Sequence, residues 1–317
     1  MSMPIRIGTR ASMLARAQTS TVAASLSSAS GREVELVEIA TRGDVDQGRL
    51  SAIGGTGVFT SALREALLAN RIDVAVHSLK DLPTAVADGI RLAAVPPRED
   101  PRDVLVARDG LTLGELPVGS RIGTGSPRRA AQLHALGLGL EVVDLRGNVD
   151  TRLGTVHDGS LDAVVLARAG LARLGRLGEV TEVLDPLQML PAPGQGALGV
   201  ECRADDRLGD DLRTALDDAP TRICVTAERS FLAAVEAGCS APLGALAERV
   251  SVDADGSEET DELWLRGVIV GVGGHPSVRL STTGSPLEPA HVGSKLAAQM
   301  LAEGAGPLLD DRAESEP

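Results

Sequence analysis

Aromatic side chains are almost absent from this sequence of 317 residues, which contains Phe59, Phe231, Trp264 and no tyrosine. Proteins that bind single-stranded nucleic acid without sequence preference stack bases on aromatic rings, so the sequence does not fit that class. Positive charge is also scarce, because 31 lysines and arginines against 44 aspartates and glutamates give a net charge of −13. Nucleic-acid binding through a basic surface is therefore disfavoured, and the mean charge also argues against an anionic ligand.

Cysteine is rare as well. Cys202, Cys224 and Cys239 lack the spacing of a structural zinc site and are too few for a disulfide framework. The five histidines are scattered, so we expect no metal. The N-terminal sequence MSMPIRIG lacks the apolar segment of a secretion signal, and no run approaches the ~18 apolar residues of a membrane span. We expect a cytoplasmic protein that does not bind membranes and, since no apolar stripe is evident, a monomer.

The first two thirds of the chain alternate predicted strands and helices, which is typical of α/β domains with a largely parallel sheet. In the first domain, apolar residues at helical spacing follow Ser12, a potential N-cap, as far as about Leu26. Its other predicted elements are strands at Ile5–Ile7, Val34–Ile39 and Ile72–Val76 and a helix over Ser61–Ala69. The elements predicted for a second domain are strands at Arg121–Gly123, Glu141–Leu145 and Ala163–Ala167 and helices over Arg128–Leu136 and Arg152–His157. We expect the strand Leu198–Cys202 to return to the first sheet.

The pattern changes near Pro220 and predicts a small α+β domain. Its predicted elements are helices over Ile223–Ala237 and Gly293–Glu303 and strands at Leu263–Val272 and Ser277–Thr283. The acidic segment Ser251–Asp261 is expected to form an exposed hairpin loop. The predicted domains are residues 1–96 with 197–216, residues 101–192, and residues 220–317.

The sequence GTGSPRR places two arginines at the start of a predicted helix. Ser126 fits the N-cap and Pro127 the first helical position, so Arg128 and Arg129 fall in the first turn. Cations there oppose the helix dipole, which means that local helix stability does not explain them. Free backbone N–H groups and two guanidinium groups would together form a strong anion site. The alternative is a pair of surface arginines that extend into solvent.

Other arginines recur at the same kind of position, between the end of a strand and the start of a helix. Arg146 and Gly147 follow a predicted strand, Arg152 comes soon after them, and Arg10 follows the first strand. The carboxyl ends of strands in an open α/β sheet form the ligand crevice. We expect these residues to converge on one crevice: Arg10, Ser12, Arg128, Arg129, Arg146 and Arg152, with Arg173 as a further candidate. The positions of the arginines thus indicate the charge of the ligand better than the net charge does. An acidic exterior would surround a local cationic site.

Lys80 and Asp81 follow the predicted strand Ile72–Val76. A carboxylate at a strand end can accept hydrogen bonds from N–H groups of a ligand and stabilise a developing cation. A helix cap or a structural pairing of the two neighbours is an equally good interpretation of the spacing.

Two further segments admit a functional and a structural interpretation. Cys239 lies in AGCSAPLG between small residues, where a thiol is accessible as a nucleophile or a covalent anchor. An inert small residue is the alternative. The segment GGTGVF lacks the ending of a phosphate loop, so a flexible loop over an active site, with Phe59 as its hydrophobic contact, fits better.

Taken together, the motifs resemble those of the porphobilinogen deaminase family, also called hydroxymethylbilane synthases. The matching segments follow one another through nearly the whole chain: IGTRAS, ATRGD, GGTGVF, DVAVHSLKDLP, REDPRD, GTGSPRR, LRGNV followed by TR, AGLARLG, PAPGQGALGVECR and AGCSAPLG. The combination of VHSLKDLP, GSPRR, LRGN and GQGA is highly specific.

The resemblance implies a fold, a cofactor and a reaction. The fold would be two α/β domains like those of periplasmic binding proteins, plus a small α+β domain that carries the cysteine. The cofactor would be a dipyrromethane, built from the substrate and joined by a thioether to Cys239. The enzyme would be a transferase of porphyrin and haem biosynthesis that condenses four porphobilinogen molecules head to tail with loss of ammonia. Water would then release hydroxymethylbilane.

The resemblance also implies roles for the residues quoted above. Asp81 would be catalytic, because it would accept pyrrole N–H bonds, stabilise positive charge as ammonia leaves and assist proton transfer. The cofactor would be held by Cys239, Lys80, Asp81, Ser126, Arg128, Arg129, Arg146 and Gly147. The substrate or growing chain would be bound by Arg10, Ser12, Arg146, Arg152, Arg173, Gln195 and Phe59. Cys239 would be an anchor only, since the attacking nucleophile would be the terminal pyrrole carbon of the cofactor.

The chain departs from the family pattern in LSAIGGTGVF, where Ala52 and Thr56 replace lysines that many members carry. Two other function classes stay open. One is an anion receptor without catalysis, because two-lobed α/β folds also serve such receptors; Cys239 and the missing export signal count against it. The other is an inactive scaffold protein of the same descent.

Overall fold

The computed structural model describes residues 3–39, 58–235, 242–253 and 259–310. The contacts among residues divide the chain into two units. The first unit comprises Met1–Glu99 and Gly196–Arg222, and the second comprises Asp100–Gln195 and Ile223–Pro317. Among the described helices, none is long and apolar enough to cross a membrane. The three-domain division expected from the sequence stays a prediction.

The secondary-structure elements are as follows. The strands are β1 (Ile5–Thr9), β2 (Val34–Glu38), β3 (Val74–Ser78), β4 (Ile90–Ala94), β5 (Asp103–Ala107), β6 (Arg121–Gly123), β7 (Glu141–Val143), β8 (Ala163–Ala167), β9 (Glu182–Val183), β10 (Leu198–Arg203), β11 (Leu243–Asp253), β12 (Glu259–Val270) and β13 (Ser277–Gly284). The α-helices are α1 (Met13–Ser30), α2 (Val58–Leu68), α3 (Pro127–Ala135), α4 (Val149–His157), α5 (Arg168–Arg173), α6 (Leu208–Leu216), α7 (Ala219–Ala234), α8 (Pro289–Ala302) and α9 (Gly306–Asp310).

The first unit contains a five-stranded sheet in the order β2-β1-β3-β10-β4. β1 runs parallel to β2 and β3, whereas β10 runs antiparallel to β3 and β4. The expectation that the strand at 198–202 returns to this sheet is confirmed. The expectation of a largely parallel sheet holds for β1, β2, β3 and β4, which run in one direction, whereas β10 enters between β3 and β4 in the opposite direction. Its apolar residues join the core beside Ile5, Ile7 and Val74.

The second unit contains a sheet of the same size in the order β7-β6-β8-β5-β9. β6 is parallel to β7 and β8, and β5 is antiparallel to β8 and β9. Both faces are apolar, since Leu105 and Val165 pack on one side and Val104 and Val164 on the other. Such burial on both faces explains why β5 and β8 read as nearly continuous apolar runs.

The second unit also contains a three-stranded antiparallel sheet in the order β11-β12-β13. A core that includes the fully buried Phe231 of α7 and residues of α8 covers one face. Another cluster joins Ala131 of α3 to Leu246 and Val268 of this sheet. The ends of the segment expected to form an exposed hairpin loop belong to the paired strands β11 and β12, with Ser251 opposite Asp261, and residues 254–258 lie outside the described residues. The fold class expected from the sequence, two α/β sheets and a small α+β part, is confirmed.

Candidate active site

Arg128 and Arg129 lie in the first turn of α3, as the sequence predicts. The helix begins at Pro127 with Ser126 at the N-cap position, although the Ser126 hydroxyl makes no capping hydrogen bond. Arg128 is only 4% exposed and Arg129 only 5%. The alternative of two solvated surface arginines is therefore wrong.

A buried carboxylate compensates part of their charge. Asp103, the first residue of β5, is fully buried. Its Oδ2 accepts a hydrogen bond from Arg128 Nη2 at 2.7 Å, and its Oδ1 accepts one from Arg129 Nη2 at 2.8 Å. Burial alone would raise the pKa of Asp103, but the charges of the two guanidinium groups hold that pKa well below its usual range. One carboxylate balances one of two guanidinium charges, so a positive charge remains.

Other N–H groups of the two arginines donate hydrogen bonds to backbone carbonyls of neighbouring segments. Arg128 Nη1 donates to the carbonyl of Leu190 at 2.6 Å, and Arg129 Nη1 donates to that of Val165 at 3.1 Å. Arg128 Nε is buried and has no hydrogen-bond partner among the described residues. Buried donors without partners are rare and costly. This donor therefore fits a side chain that binds an anion.

Arg146, Gly147 and Arg152 lie together at the start of α4. Asn148 caps this helix by accepting a hydrogen bond from a backbone N–H of the first turn at 2.9 Å. Arg152 Nε donates to the Gly147 carbonyl at 2.9 Å, and Gly147 adopts a φ of 112°, which favours glycine. Arg146 is exposed, with its Nε 3.4 Å from Asp144 Oδ2.

The positive charges at the starts of α3 and α4 influence one another. Burial lowers the pKa of Arg152, and the charges of Arg129 and Arg146 lower it further. We call Arg128 and these three residues the arginine cluster. The carboxylates that pair with it within the described part of the chain are Asp103 and Asp144. Four cations against two anions leave the cluster with an excess of positive charge.

A glycine allows the two segments of the cluster to approach each other. A Cβ at Gly125 would lie 2.6 Å from the backbone oxygen of Leu145, closer than real Cβ atoms come. Thr124 N–H donates to the Val143 carbonyl at 2.9 Å, and Leu145 N–H donates to the Thr124 carbonyl at 3.3 Å. Only glycine at position 125 permits this close pairing.

Gln195 is buried, and its amide nitrogen is bonded within the second unit. Nε2 donates to Asp103 Oδ1 at 2.8 Å and to the carbonyl of Pro101 at 2.7 Å. The amide therefore helps to fix Asp103. The expected role of Gln195 in substrate binding stays a prediction.

A second buried carboxylate holds the loop that carries Gln195. Glu228 is fully buried on α7. Its Oε2 accepts a hydrogen bond from Gly194 N–H at 2.6 Å, and its Oε1 accepts one from Ala247 N–H on β11 at 2.9 Å. Glu228 thus links the loop to α7 and to the three-stranded sheet β11-β12-β13.

In the first unit, Lys80 and Asp81 lie in a 3-10 turn, Leu79–Asp81, directly after β3. Asp81 is exposed, Lys80 is half-buried, and the flanking Leu79 and Leu82 are buried. A Cβ at Gly199 on β10 would lie 3.1 Å from the Leu79 side chain and 3.5 Å from that of Leu82. The buried leucines therefore fix the turn, and the Asp81 carboxylate on it is exposed to solvent.

Hydrogen bonds also fix the chain just before this turn. Gln18 of α1 donates through Nε2 to Ser78 Oγ at 3.0 Å. Leu79 N–H donates to the carbonyl of Ala197 at 3.0 Å. The helix α1 and the chain leading into β10 thus both hold the end of β3.

A buried ionic group lies under the same strand end. Glu201 on β10 accepts hydrogen bonds from Arg64 Nε at 3.0 Å and Arg64 Nη2 at 2.7 Å, and its Oε2 lies 3.2 Å from His77 Nε2. Burial would raise the pKa of Glu201, but the nearby His77 imidazole and the Arg64 guanidinium group lower it to about 2. Glu201 is therefore a carboxylate at neutral pH and links β10, α2 and β3.

The remaining predicted site residues are distributed over both units. Arg10 follows β1 and is half-buried, and Ser12 caps α1 as predicted, with its Oγ accepting a hydrogen bond from Ala15 N–H at 3.3 Å. Arg173 ends α5 and is half-buried. Arg10, Ser12, Lys80 and Asp81 belong to the first unit, whereas Arg173 and the arginine cluster belong to the second. That both groups converge on one crevice stays a prediction.

Several predictions fall outside the described residues. Cys239 lies within 236–241, and Ala52 and Thr56 lie within 40–57. Phe59 belongs to α2, which begins earlier than predicted, but its side chain is outside the described part. Among the described residues, no group of three or more histidine, cysteine, aspartate or glutamate side chains is placed to hold a metal ion.

Sequence reasoning missed the buried carboxylates of the two units. Asp103, Glu201 and Glu228 were assigned no role, although Asp103 lies in the quoted motif REDPRD. A usable signal existed, since Asp103 begins a buried, otherwise apolar strand and Glu201 interrupts another one. A charge in such a strand has to be paired.

Comparison with known proteins points to one family. Residues 5–210 match the family model for the porphobilinogen deaminase, dipyromethane cofactor binding domain, and residues 222–302 match that for the porphobilinogen deaminase, C-terminal domain. The porphobilinogen deaminase of Nocardia farcinica is 56% identical over 315 residues, which cover 99% of this chain and 90% of the relative. That of Mycobacterium tuberculosis is 58% identical over 306 residues, which cover 96% of this chain and 98% of the relative.

Similar solved structures include two binding proteins of low sequence identity. The methionine-binding protein MetQ is 13% identical with a TM-score of 0.42, and the match covers 67% of this chain and 89% of that one. A periplasmic substrate-binding protein of an ABC transporter from Coxiella burnetii is 14% identical with a TM-score of 0.43, and the match covers 71% and 96%.

Proposed function

Since the chain belongs to the porphobilinogen deaminase family, we propose that its arginine cluster binds the carboxylates of the cofactor and of the growing product. The protein is an enzyme with porphobilinogen deaminase activity in tetrapyrrole biosynthesis, and it uses a dipyrromethane cofactor. Its substrate is porphobilinogen. The enzyme condenses porphobilinogen units head to tail with loss of ammonia and releases hydroxymethylbilane.

The excess positive charge of the arginine cluster is the observation that carries the proposal. Each porphobilinogen unit bears an acetate and a propionate group, so the cofactor and the growing product are polyanions. A guanidinium group binds a carboxylate through two parallel hydrogen bonds. A bound carboxylate would offset the repulsion between the positive charges that lowers the pKa of Arg152. It would also offer an acceptor to the buried Arg128 Nε, which has no partner among the described residues. The residues present therefore fit the cofactor.

We propose Asp81 as the catalytic residue. When bound, the cofactor supplies the terminal pyrrole carbon that is joined to the incoming porphobilinogen. The exposed Asp81 carboxylate accepts hydrogen bonds from pyrrole N–H groups and stabilises the positive charge that develops as ammonia leaves. The firm support of its turn by Leu79 and Leu82 favours this role, because a fixed carboxylate needs little reorganisation during the reaction. Lys80 beside it binds a carboxylate of the cofactor.

We also propose that Cys239 anchors the cofactor through a thioether. The motif AGCSAPLG and membership of the family support this role. Substrate contacts are proposed for Arg10, Ser12, Arg173, Gln195 and Phe59, and cofactor contacts for Ser126 and Gly147. The protein is further proposed to be a cytoplasmic monomer, which light scattering would test by returning the mass of one chain.

Product stoichiometry tests the proposed function. Purified protein is incubated with porphobilinogen, and released ammonia and hydroxymethylbilane are measured together. We expect four ammonia molecules for each tetrapyrrole. An anion receptor or an inactive scaffold would release no ammonia, and that result would overturn the proposal.

A further inference from the structure

Asp103 contacts two residues proposed to bind the cofactor, although its own carboxylate is fully buried. We propose that Asp103 is a positioning residue that holds Arg128 and Arg129 in fixed orientations, while Gln195 holds Asp103 in turn. This inference rests on the proposed function of the arginine cluster. It makes Gln195 a support of the site in addition to any contact with substrate.

The hydrogen bonds around Asp103 come from three side chains. Oδ2 accepts from Arg128 Nη2 at 2.7 Å. Oδ1 accepts from Arg129 Nη2 at 2.8 Å, from Arg129 Nε at 3.2 Å and from Gln195 Nε2 at 2.8 Å. Both oxygens are therefore engaged, and the carboxylate is an internal acceptor.

The charge of Asp103 matters as much as its hydrogen bonds. Two guanidinium groups buried side by side repel each other and lose their hydration, which is costly unless they are paired. Asp103 pairs one positive charge and leaves one. One carboxylate of a ligand would neutralise the remaining positive charge. Because of Asp103, this pair of arginines therefore matches the charge of a single ligand carboxylate.

Fixed orientations favour binding, because an arginine side chain that is free before binding loses rotamer entropy when it binds. Here each guanidinium group is held twice, by Asp103 and by a backbone carbonyl of Leu190 or Val165. The donors that remain, including Arg128 Nε, are thus held in place before a ligand arrives.

Asp103→Asn tests this role, since it keeps the size of the side chain and removes its charge. We expect KM for porphobilinogen to rise about tenfold or more, with kcat changed less than about threefold, because each arginine loses a charged hydrogen bond. Intact mass should show a smaller fraction of protein that carries the cofactor. Asp100→Asn is the matched control: it lies in the same segment and pairs with Arg102 and Arg168, so KM and cofactor content should stay unchanged.

Gln195→Met is the second variant, and it tests the same inference if Asp103→Asn does not fold. It removes the hydrogen bond to Asp103 without changing the charge. We expect a smaller rise in KM than in Asp103→Asn together with a smaller fraction of protein that carries the cofactor, which the loss of a substrate contact alone would leave unchanged. A purely structural role would lower the melting temperature but leave KM and cofactor content of the folded protein unchanged. That result would overturn the inference.

Arg146→Gln separates this inference from the function on which it rests. Arg146 is exposed and does not contact Asp103. A raised KM in Arg146→Gln with unchanged KM in Asp103→Asn and Gln195→Met would remove the positioning role and keep the proposed function. An unchanged KM in Arg146→Gln as well would contradict the binding role of the cluster itself.

Discussion

Asp81 and Glu201 carry the same functional group in opposite surroundings. Asp81 is exposed on a turn at the end of β3, whereas Glu201 is buried beneath that strand end between Arg64 and His77. A buried, paired carboxylate stabilises the fold, and an exposed one on a fixed turn is available to a substrate. The two side chains therefore call for different tests.

Replacement of Asp81 by alanine should remove nearly all turnover and leave the cofactor attached. We expect the rate to fall by ~10²–10⁴-fold, the usual contribution of a carboxylate that assists charge development and proton transfer. The measurement is steady-state release of ammonia, together with intact mass to show that cofactor-derived mass is retained. Asp88→Ala, an exposed aspartate in the same unit, is the control and should retain its activity. Wild-type rates in Asp81→Ala would remove Asp81 from the mechanism.

Glu201 predicts a specific acid dependence of stability. Its pKa is about 2 in the folded protein against an ordinary value of 4.5, so its contribution is present above about pH 4.5 and is lost as the pH falls toward 2. The full contribution is about 3 kcal/mol. In urea unfolding, wild type and Glu201→Gln should differ most near pH 6 to 7, and the difference should shrink below pH 4.5. A difference that does not depend on pH would contradict this prediction.

At the residue scale, the sequence indicated the ligand-binding candidates but not their partners. Strand ends and helix starts are visible in the sequence, and the arginines and Asp81 stood out by those positions. Their partners lie far away along the chain: Asp103 is 25 residues from Arg128 and 92 residues from Gln195. Such pairs depend on strand order and register, which local sequence patterns do not encode.

At the scale of elements, the close approach at Gly125 is the feature most sensitive to a small change. Gly125→Ala would force the loop before α3 away from Leu145, because the added Cβ meets a backbone oxygen. We expect a loss of about 1–3 kcal/mol of stability, typical of overpacking, and a raised KM for porphobilinogen, because the arginine cluster is drawn apart.

Gly154→Ala is the matched control for this prediction. Gly154 lies inside α4 with no atom within 4 Å of its added Cβ. Alanine should stabilise the helix by up to about 1 kcal/mol and leave KM unchanged. Urea unfolding and substrate kinetics check both variants, and an unchanged KM in Gly125→Ala would show that the close approach does not shape the site.

Elements with strong local signals could be predicted from the sequence, and those defined by tertiary contacts could not. β8 was predicted to the residue, because its apolar run is bounded on both sides. α4 begins three residues before its predicted start, since Asn148 was not recognised as its N-cap. β5 and β11 were missed. The direction of β10 was also missed, because an apolar run carries no information on strand polarity.

At the scale of the whole molecule, the net charge of −13 is a poor guide to the ligand. The mean charge disfavours an anion, yet the second unit holds four clustered arginines against two paired carboxylates. Fields near a site depend on the placement of charges more than on their sum. The shortage of aromatic rings agrees with a ligand held through carboxylates and N–H groups.

The mass of the intact, denatured protein tests the central claim most directly. Wild type should exceed the mass of its sequence by two porphobilinogen-derived units, because we propose that the dipyrromethane is joined covalently to Cys239. Cys239→Ala should have the mass of its sequence alone, and the control Cys224→Ala, at a half-buried cysteine of α7, should keep the added mass. A wild-type protein that turns over porphobilinogen without any added mass, or a Cys239→Ala variant that retains it, would contradict the account.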